Sequence, residues 1–167
     1  MHEHRADGAE RLLLPRGEDA PNNPRLPVLL HRGALPAGDP AAAEALFARH
    51  GWRPAWRDGI YPFLHYHPNA HEALAIARGR VRLRLGGKAG VTLDLEAGDI
   101  AVLPAGTGHQ TLSHSPDLLV VGAYPPGEEE PEQLRDDPDE IEEARQRIAR
   151  LADPPADPVT GRPYPTA

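Results

Sequence analysis

At 167 residues the chain is long enough for one domain with its own core and too short for two comfortable ones. Its net charge of -7, from 18 Lys and Arg against 25 Asp and Glu with no basic stripe, argues against nucleic acid as a partner. It has no cysteine, which excludes disulfides, thiolate metal ligands and a cysteine nucleophile, and leaves His, Asp and Glu as the available ligands.

Residues 1–25 are polar and proline-rich and read as a flexible N-terminal arm. Leu12 to Leu14 are too short a run for a signal peptide and no later run spans a bilayer, so no membrane partner and a cytoplasmic protein are expected. "PVLLHRG" (27–33) reads as the first strand. Over 40–50, Asp39 as cap, Pro40 at the first helical position, a high-propensity "AAAEALFARH" and Gly51 beyond it predict a helix.

From there the pattern changes to strands. Val81, Leu83 and Leu85 alternate with Arg80, Arg82 and Arg84, and Val91, Leu93 and Leu95 with Thr92, Asp94 and Glu96, so each run is a half-buried strand with the arginines facing solvent. "GGKAG" (86–90) between them opens a strand rather than a helix, and is therefore a hairpin turn and not a phosphate loop. "DIAVLPAG" and "DLLVVGAY" supply two further strands. Short strands at regular spacing, with 20 prolines and 16 glycines, indicate an all-β sandwich or barrel.

Residues 128–143 carry ten carboxylates and one arginine, a solvated run with no assigned role. Within it, Asp137, Pro138 and Glu140 form a helix start, and Ile141, Ala144, Ile148 and Leu151 share one face, predicting a helix from 138 to about 151 that lies on the barrel. The division is thus an arm (1–25), a barrel with its preceding helix (26–127), and an acidic segment, C-terminal helix and proline-rich tail (128–167).

The chemistry concentrates in "HYHPNAHE" (65–72). Side chains alternate along extended chain, so His65 and His67 point together and Tyr66 points opposite; Tyr61 and Phe63 share the histidine face. Pro68 and Asn69 make a turn. On the returning strand Glu72 has the parity of Leu74 and Ile76, whereas His71 has that of Ala73 and Ala75. If the larger residues face inward, Glu72 does too and His71 does not. His109, after the "PAGTG" turn, offers a ligand from another strand. This mixed N/O set suits one divalent Mn, Fe, Ni, Co or Zn ion with open coordination positions. His2, His4, His31, His50 and His114 read as structural or exposed. Ser113 and Ser115 are the only serines, and neither sits in a nucleophile elbow.

These residues resemble the cupin family. The first cupin motif, G-x5-H-x-H-x4-E-x6-G, is matched by Gly59, His65, His67, Glu72 and Gly79. The second, G-x5-P-x-G-x2-H-x3-N, is matched by Gly98, Pro104, Gly106 and His109 and departs only at Ser113. "WRDGIYPFLHYHPNAHE" and "PAGTGHQTLSHSPDLLVVGAYPPG" further resemble a bacterial group of single-domain cupins, the YjlB-like proteins, and the histidine run is similar to a stretch of oxalate decarboxylases. The resemblance implies a double-stranded β-helix (jelly-roll barrel), a metal held by His65, His67, Glu72 and His109, and commonly a homodimer.

The expected function is a metal-dependent enzyme acting on a small polar or anionic molecule, by oxidation, decarboxylation or isomerisation. His71 and Tyr61 are the candidate acid–base groups, and Tyr61 and Phe63 the candidate substrate contacts. The rival is a non-catalytic module in which the metal orients a small-molecule ligand.

Overall fold

Strands dominate the computed structural model, which describes residues 2–4 and 9–166. In chain order they are β1 (His2–His4), β2 (Ala9–Leu12), β3 (Val28–His31), β4 (Arg53–Asp58), β5 (Glu72–Arg78), β6 (Arg80–Leu85), β7 (Val91–Glu96), β8 (Ile100–Leu103), β9 (His109–His114) and β10 (Leu119–Tyr124), with helices α1 (Pro40–Arg49) and α2 (Pro138–Arg150). All pairings are antiparallel. One sheet runs β1-β2-β3-β8-β5-β10-β4 and the other β7-β6-β9. Among the described residues no helix is long and apolar enough to cross a membrane.

Both helices start where the caps place them. Asp39 accepts from Ala42 N at 3.0 Å and Asp137 from Asp139 N at 2.9 Å, each followed by proline at the first helical position. "PVLLHRG" contains a strand, but it is the third, because the segment read as an arm contributes β1 and β2, and β2 pairs along β3. Leu12 at the end of β2, and Leu14 and Ala20 beyond it, are buried.

The faces of β5 show how sequence parity becomes architecture. Leu74 and Ile76 enter the core shared by the two sheets, with Val81, Leu83 and Leu85 from β6 and Leu95 from β7. Ala73, Ala75 and Ala77 enter a second cluster on the opposite face, under Ala43 and Phe47 of α1, with Val121 and Ala123 of β10. Small residues on that face let the helix approach, and each large residue fully buried on the other contributes about 1.5–3 kcal/mol. Glu72 opens the inward series. A third cluster joins Tyr66 and Ala105 to Ile141, Ala144 and Ile148 of α2, which fastens the C-terminal helix beside the "PAGTG" turn.

Two glycines are required at this end of the molecule. Gly106 has φ +90°, and a Cβ there would meet Ile148 Cδ1 at 2.5 Å. Gly122 lies under the indole of Trp56, where a Cβ would come within 2.0 Å of the ring, so only glycine lets Trp56 lie flat across β10.

Candidate metal centre

The segment between β4 and β5 is extended but paired only at isolated points. His65 and His109 exchange backbone hydrogen bonds, His65 N to His109 O at 3.2 Å and the reverse at 2.9 Å. Tyr66 does the same with Leu134 on its other side, at 3.0 Å in each direction. The chain is thereby held between β9 and residues 128–137, and its alternation sends Tyr66 into the cluster under α2 while His65 and His67 face the other way.

Three buried imidazoles converge: ring centres are 4.0 Å apart for His65 and His109, 5.4 Å for His67 and His109, and 5.6 Å for His65 and His67. Each offers a nitrogen within 4.8 Å of the others, a group that could hold a metal ion, and the described residues contain no second such group. The hydrogen bonds decide which nitrogen is offered. His65 Nδ1 lies 3.0 Å from Phe63 O, His67 Nδ1 2.7 Å from Glu132 O, and His109 Nδ1 2.9 Å from Thr107 O. A carbonyl can only accept, so all three Nδ1 atoms carry protons, and a ring that is neutral presents its Nε2 lone pair to the site.

Glu72 stands beside them, buried. Its Oε2 accepts from the Tyr124 hydroxyl at 2.9 Å, and that hydroxyl accepts from Trp56 Nε1 at 2.9 Å. Its Oε1 has no hydrogen-bond partner, yet lies 3.2 Å from His109 Nε2 and 3.6 Å from His67 Nε2. A carboxylate oxygen facing two lone pairs in a dry interior calls for a positive charge between them, either a proton or a cation. The donor set therefore fits a divalent ion of the kind that takes mixed nitrogen and oxygen ligands.

The electrostatics point the same way. Burial, reinforced by His109, pushes the His65 imidazole down to about 3, so it stays neutral. Burial also acts against a charged His67, but the negative charge of the adjacent Glu72 outweighs it and moves His67 up. Burial would raise Glu72, and the facing histidines more than offset it, holding the carboxyl well below its ordinary range. Burial, then the charge of Glu72, pushes the Tyr124 hydroxyl up, which keeps it a hydrogen-bond donor.

A cavity of about 390 Å³ opens onto His65, His67, Glu72 and His109. Tyr61, 54% exposed, lines it and stacks on Phe63 at 4.8 Å. Phe63 itself lies outside the lining, beneath the Arg135 guanidinium at 3.6 Å. A larger open groove, about 1080 Å³, runs past Arg82, Asp94 and His114 and includes none of His65, His67 and His109.

His71 points elsewhere. Its Nδ1 accepts from Ala105 N at 2.9 Å and its Nε2 donates to Ala152 O at 2.8 Å, while its backbone N–H reaches Glu128 Oε1 at 2.8 Å. Both ring nitrogens are engaged, and the residue does not line the cavity. Burial pushes Glu128 up to about 7. Of the other histidines, His31 pairs with Asp157 at 3.0 Å, His50 donates to Pro158 O, and His114 is exposed; the side chains of His2 and His4 lie outside the described residues.

Sequence reasoning passed over Tyr124, Trp56 and the strap at 128–137. Tyr124 carried a signal, since it shares parity with the inward Val120 along β10. The strap carried none: Glu132 is held by Asn69 and Arg147, and it is its main-chain carbonyl that fixes the His67 tautomer.

The cupin domain family (Cupin_2) matches residues 58–122, which span both histidine segments. The uncharacterized protein YjlB of Bacillus subtilis (strain 168) is 40% identical over 145 residues, 87% of this chain and 86% of that protein. Among solved structures, a variant of Bacillus subtilis oxalate decarboxylase OxdC is 16% identical, with TM-score 0.36, over 65% of this chain and 22% of that one. DMSP lyase DddQ from Ruegeria pomeroyi DSS-3 is 20% identical, with TM-score 0.39, over 68% of this chain and 44% of that one. At these similarities neither enzyme's chemistry transfers. The extent of the match to YjlB, together with the cupin domain across both histidine segments, shows that the chain belongs to the cupin family.

Proposed function

We propose that the chain forms a jelly-roll barrel that binds one divalent metal ion through His65, His67, Glu72 and His109, and that it is a metal-dependent enzyme acting on a small polar or anionic molecule. The observation that carries this reading is the unpaired, buried Glu72 Oε1 facing the Nε2 lone pairs of His67 and His109 beside a cavity. A bound divalent ion there supplies Lewis acidity toward a coordinated substrate oxygen. The protein supplies the rest. Three backbone carbonyls hold the imidazole tautomers, Tyr124 steers Glu72, and Trp56 with Ile60 and Leu74 excludes water from one side of the cavity.

One observation favours the rival reading, capture of a ligand without turnover. Of the two candidate acid–base groups only Tyr61 lines the cavity, and the Tyr124 proton is committed to Glu72. The test is a substrate screen on metal-loaded protein. Metal-dependent consumption of a compound supports an enzyme; ligand-dependent stabilisation without product supports the module. Chelation is expected to lower Tm in either case, and metal at a hundredfold excess over Kd to restore about 2.7 kcal/mol of stability.

Tyr124→Phe is expected to keep the fold, since only the hydroxyl is lost, and to weaken metal binding about 10-fold or more by freeing Glu72 Oε2. The visible spectrum of the Co(II)-loaded variant should shift. An unchanged affinity and spectrum would show that the hydroxyl does not steer the carboxylate.

We further propose a homodimer, because the outer edges of β1 and β4 have no strand partner among the described residues. Light scattering should return twice 18.1 kDa; a mass of one chain at micromolar concentration contradicts it.

A further inference from the structure

The walls of the cavity limit the charge its occupant can carry. Trp56, Ile60, Tyr61, Pro62, Leu74 and Pro131 form an apolar lining of the size that accepts one aromatic or branched aliphatic group. The polar groups away from the histidines are few: Gln133 is neutral, and Asp58 carries a negative charge. Neither lysine nor arginine lines the cavity among the described residues. Arg135, which touches the neighbouring aromatic shelf, is stacked on Phe63 outside the lining, and Arg57 is tied to Glu44 by two hydrogen bonds. The four proposed ligands comprise three neutral imidazoles and one carboxylate, so a divalent ion among them leaves a single positive charge to be met. One anionic group on the ligand meets it. A second would lie against apolar walls whose one charged side chain besides Glu72 is the carboxylate Asp58, with no cation in the lining to meet it.

We propose that the cavity takes a monoanionic small molecule, with its one acidic oxygen group at the histidine cluster and a neutral, apolar body against Trp56 and Tyr61, and that it discriminates against dianions of the same shape. This rests on the metal reading above and narrows it from polar or anionic molecules in general to singly charged ones with an apolar body.

The test uses a matched pair of probes that differ only at the far end, 4-methylbenzoate and terephthalate. Mn(II) uptake by the purified protein is measured first by elemental analysis. Each probe is then titrated into the Mn(II)-loaded and the metal-free protein, by calorimetry and by water-proton relaxation, which reports displacement of water from the ion. The inference predicts that 4-methylbenzoate binds the loaded protein, loses that binding when the metal is removed, and outcompetes terephthalate by at least tenfold. Terephthalate binding as tightly or more tightly, or neither probe binding at millimolar concentration, would overturn the inference and leave the metal reading standing. A protein that takes up no Mn(II) or other divalent ion would overturn both.

Discussion

Glu72→Gln is expected to abolish high-affinity metal binding while leaving the metal-free protein folded. The substitution keeps the side chain's shape. Tyr124 donates its O–H to the Oε2 position, so the amide must place its carbonyl oxygen there and its NH₂ at the Oε1 position. That NH₂ then points at His109 Nε2 and His67 Nε2, which lie 3.2 and 3.6 Å from Oε1 and whose lone pairs are free because Nδ1 holds each ring's proton. The variant thus satisfies, with hydrogen bonds, the lone pairs that a cation would use. It also removes a buried carboxylate whose Oε1 has no hydrogen-bond partner. Changes to groups that merely orient ligands cost 10- to 100-fold in affinity, so losing the one anionic ligand should cost more than about 100-fold. Titration followed by elemental analysis gives the affinity, and thermal melting of the metal-free forms gives the stability. Unaltered metal affinity would remove Glu72 from the ligand set.

The adjacent residue should behave in the opposite way. His71→Ala is expected to retain its metal within about tenfold but to lose about 2–4 kcal/mol of stability. The imidazole is 1% exposed and bridges Ala105 N to Ala152 O. Removing it leaves the buried Ala105 donor unsatisfied, costing about 1–3 kcal/mol, and a cavity besides, while Ala152 O belongs to an exposed residue and can turn to water. Its backbone contact to Glu128 survives, as does the parity that turns Glu72 inward. Urea unfolding of the metal-free protein measures the loss, and elemental analysis measures the retained metal. A stable but metal-free His71→Ala would mean that the imidazole serves the site rather than the fold.

The contrast between these neighbours was legible because strand parity acts on single residues. Leu74 and Ile76 mark the inward face of β5, and Glu72 and His71 sort themselves against that face. The same rule found β6 and β7, whose outward arginines and acids alternate with core leucines. It could not find β4. "RPAWRD" lies on the sheet edge with most side chains exposed, so burial imposes no pattern on it. β9 was reached only through the "PAGTG" turn before His109 and not through alternation, as "HQTLSH" places site histidine and threonine inward where a core strand would have leucine.

At the site, the converging histidines were legible as a spacing, but their tautomers were not. Those depend on carbonyls of Phe63, Thr107 and Glu132, and a carbonyl leaves no mark in the sequence. Glu132 lies in an acidic run whose composition signals only solvation. Its position over His67 follows from the pairing of Leu134 with Tyr66, a contact between segments far apart in the chain.

The central claim is that the three Nε2 lone pairs and Glu72 Oε1 are arranged for one divalent cation. Elemental analysis of freshly purified, untagged protein, before any chelator, tests it most directly. The account predicts close to one Mn, Fe, Ni, Co or Zn ion per chain, lost together with the cluster in a His65→Ala/His67→Ala double variant that still folds by circular dichroism. Protein that purifies without metal and takes up none of these ions on titration, or a double variant that keeps its full complement, would contradict it.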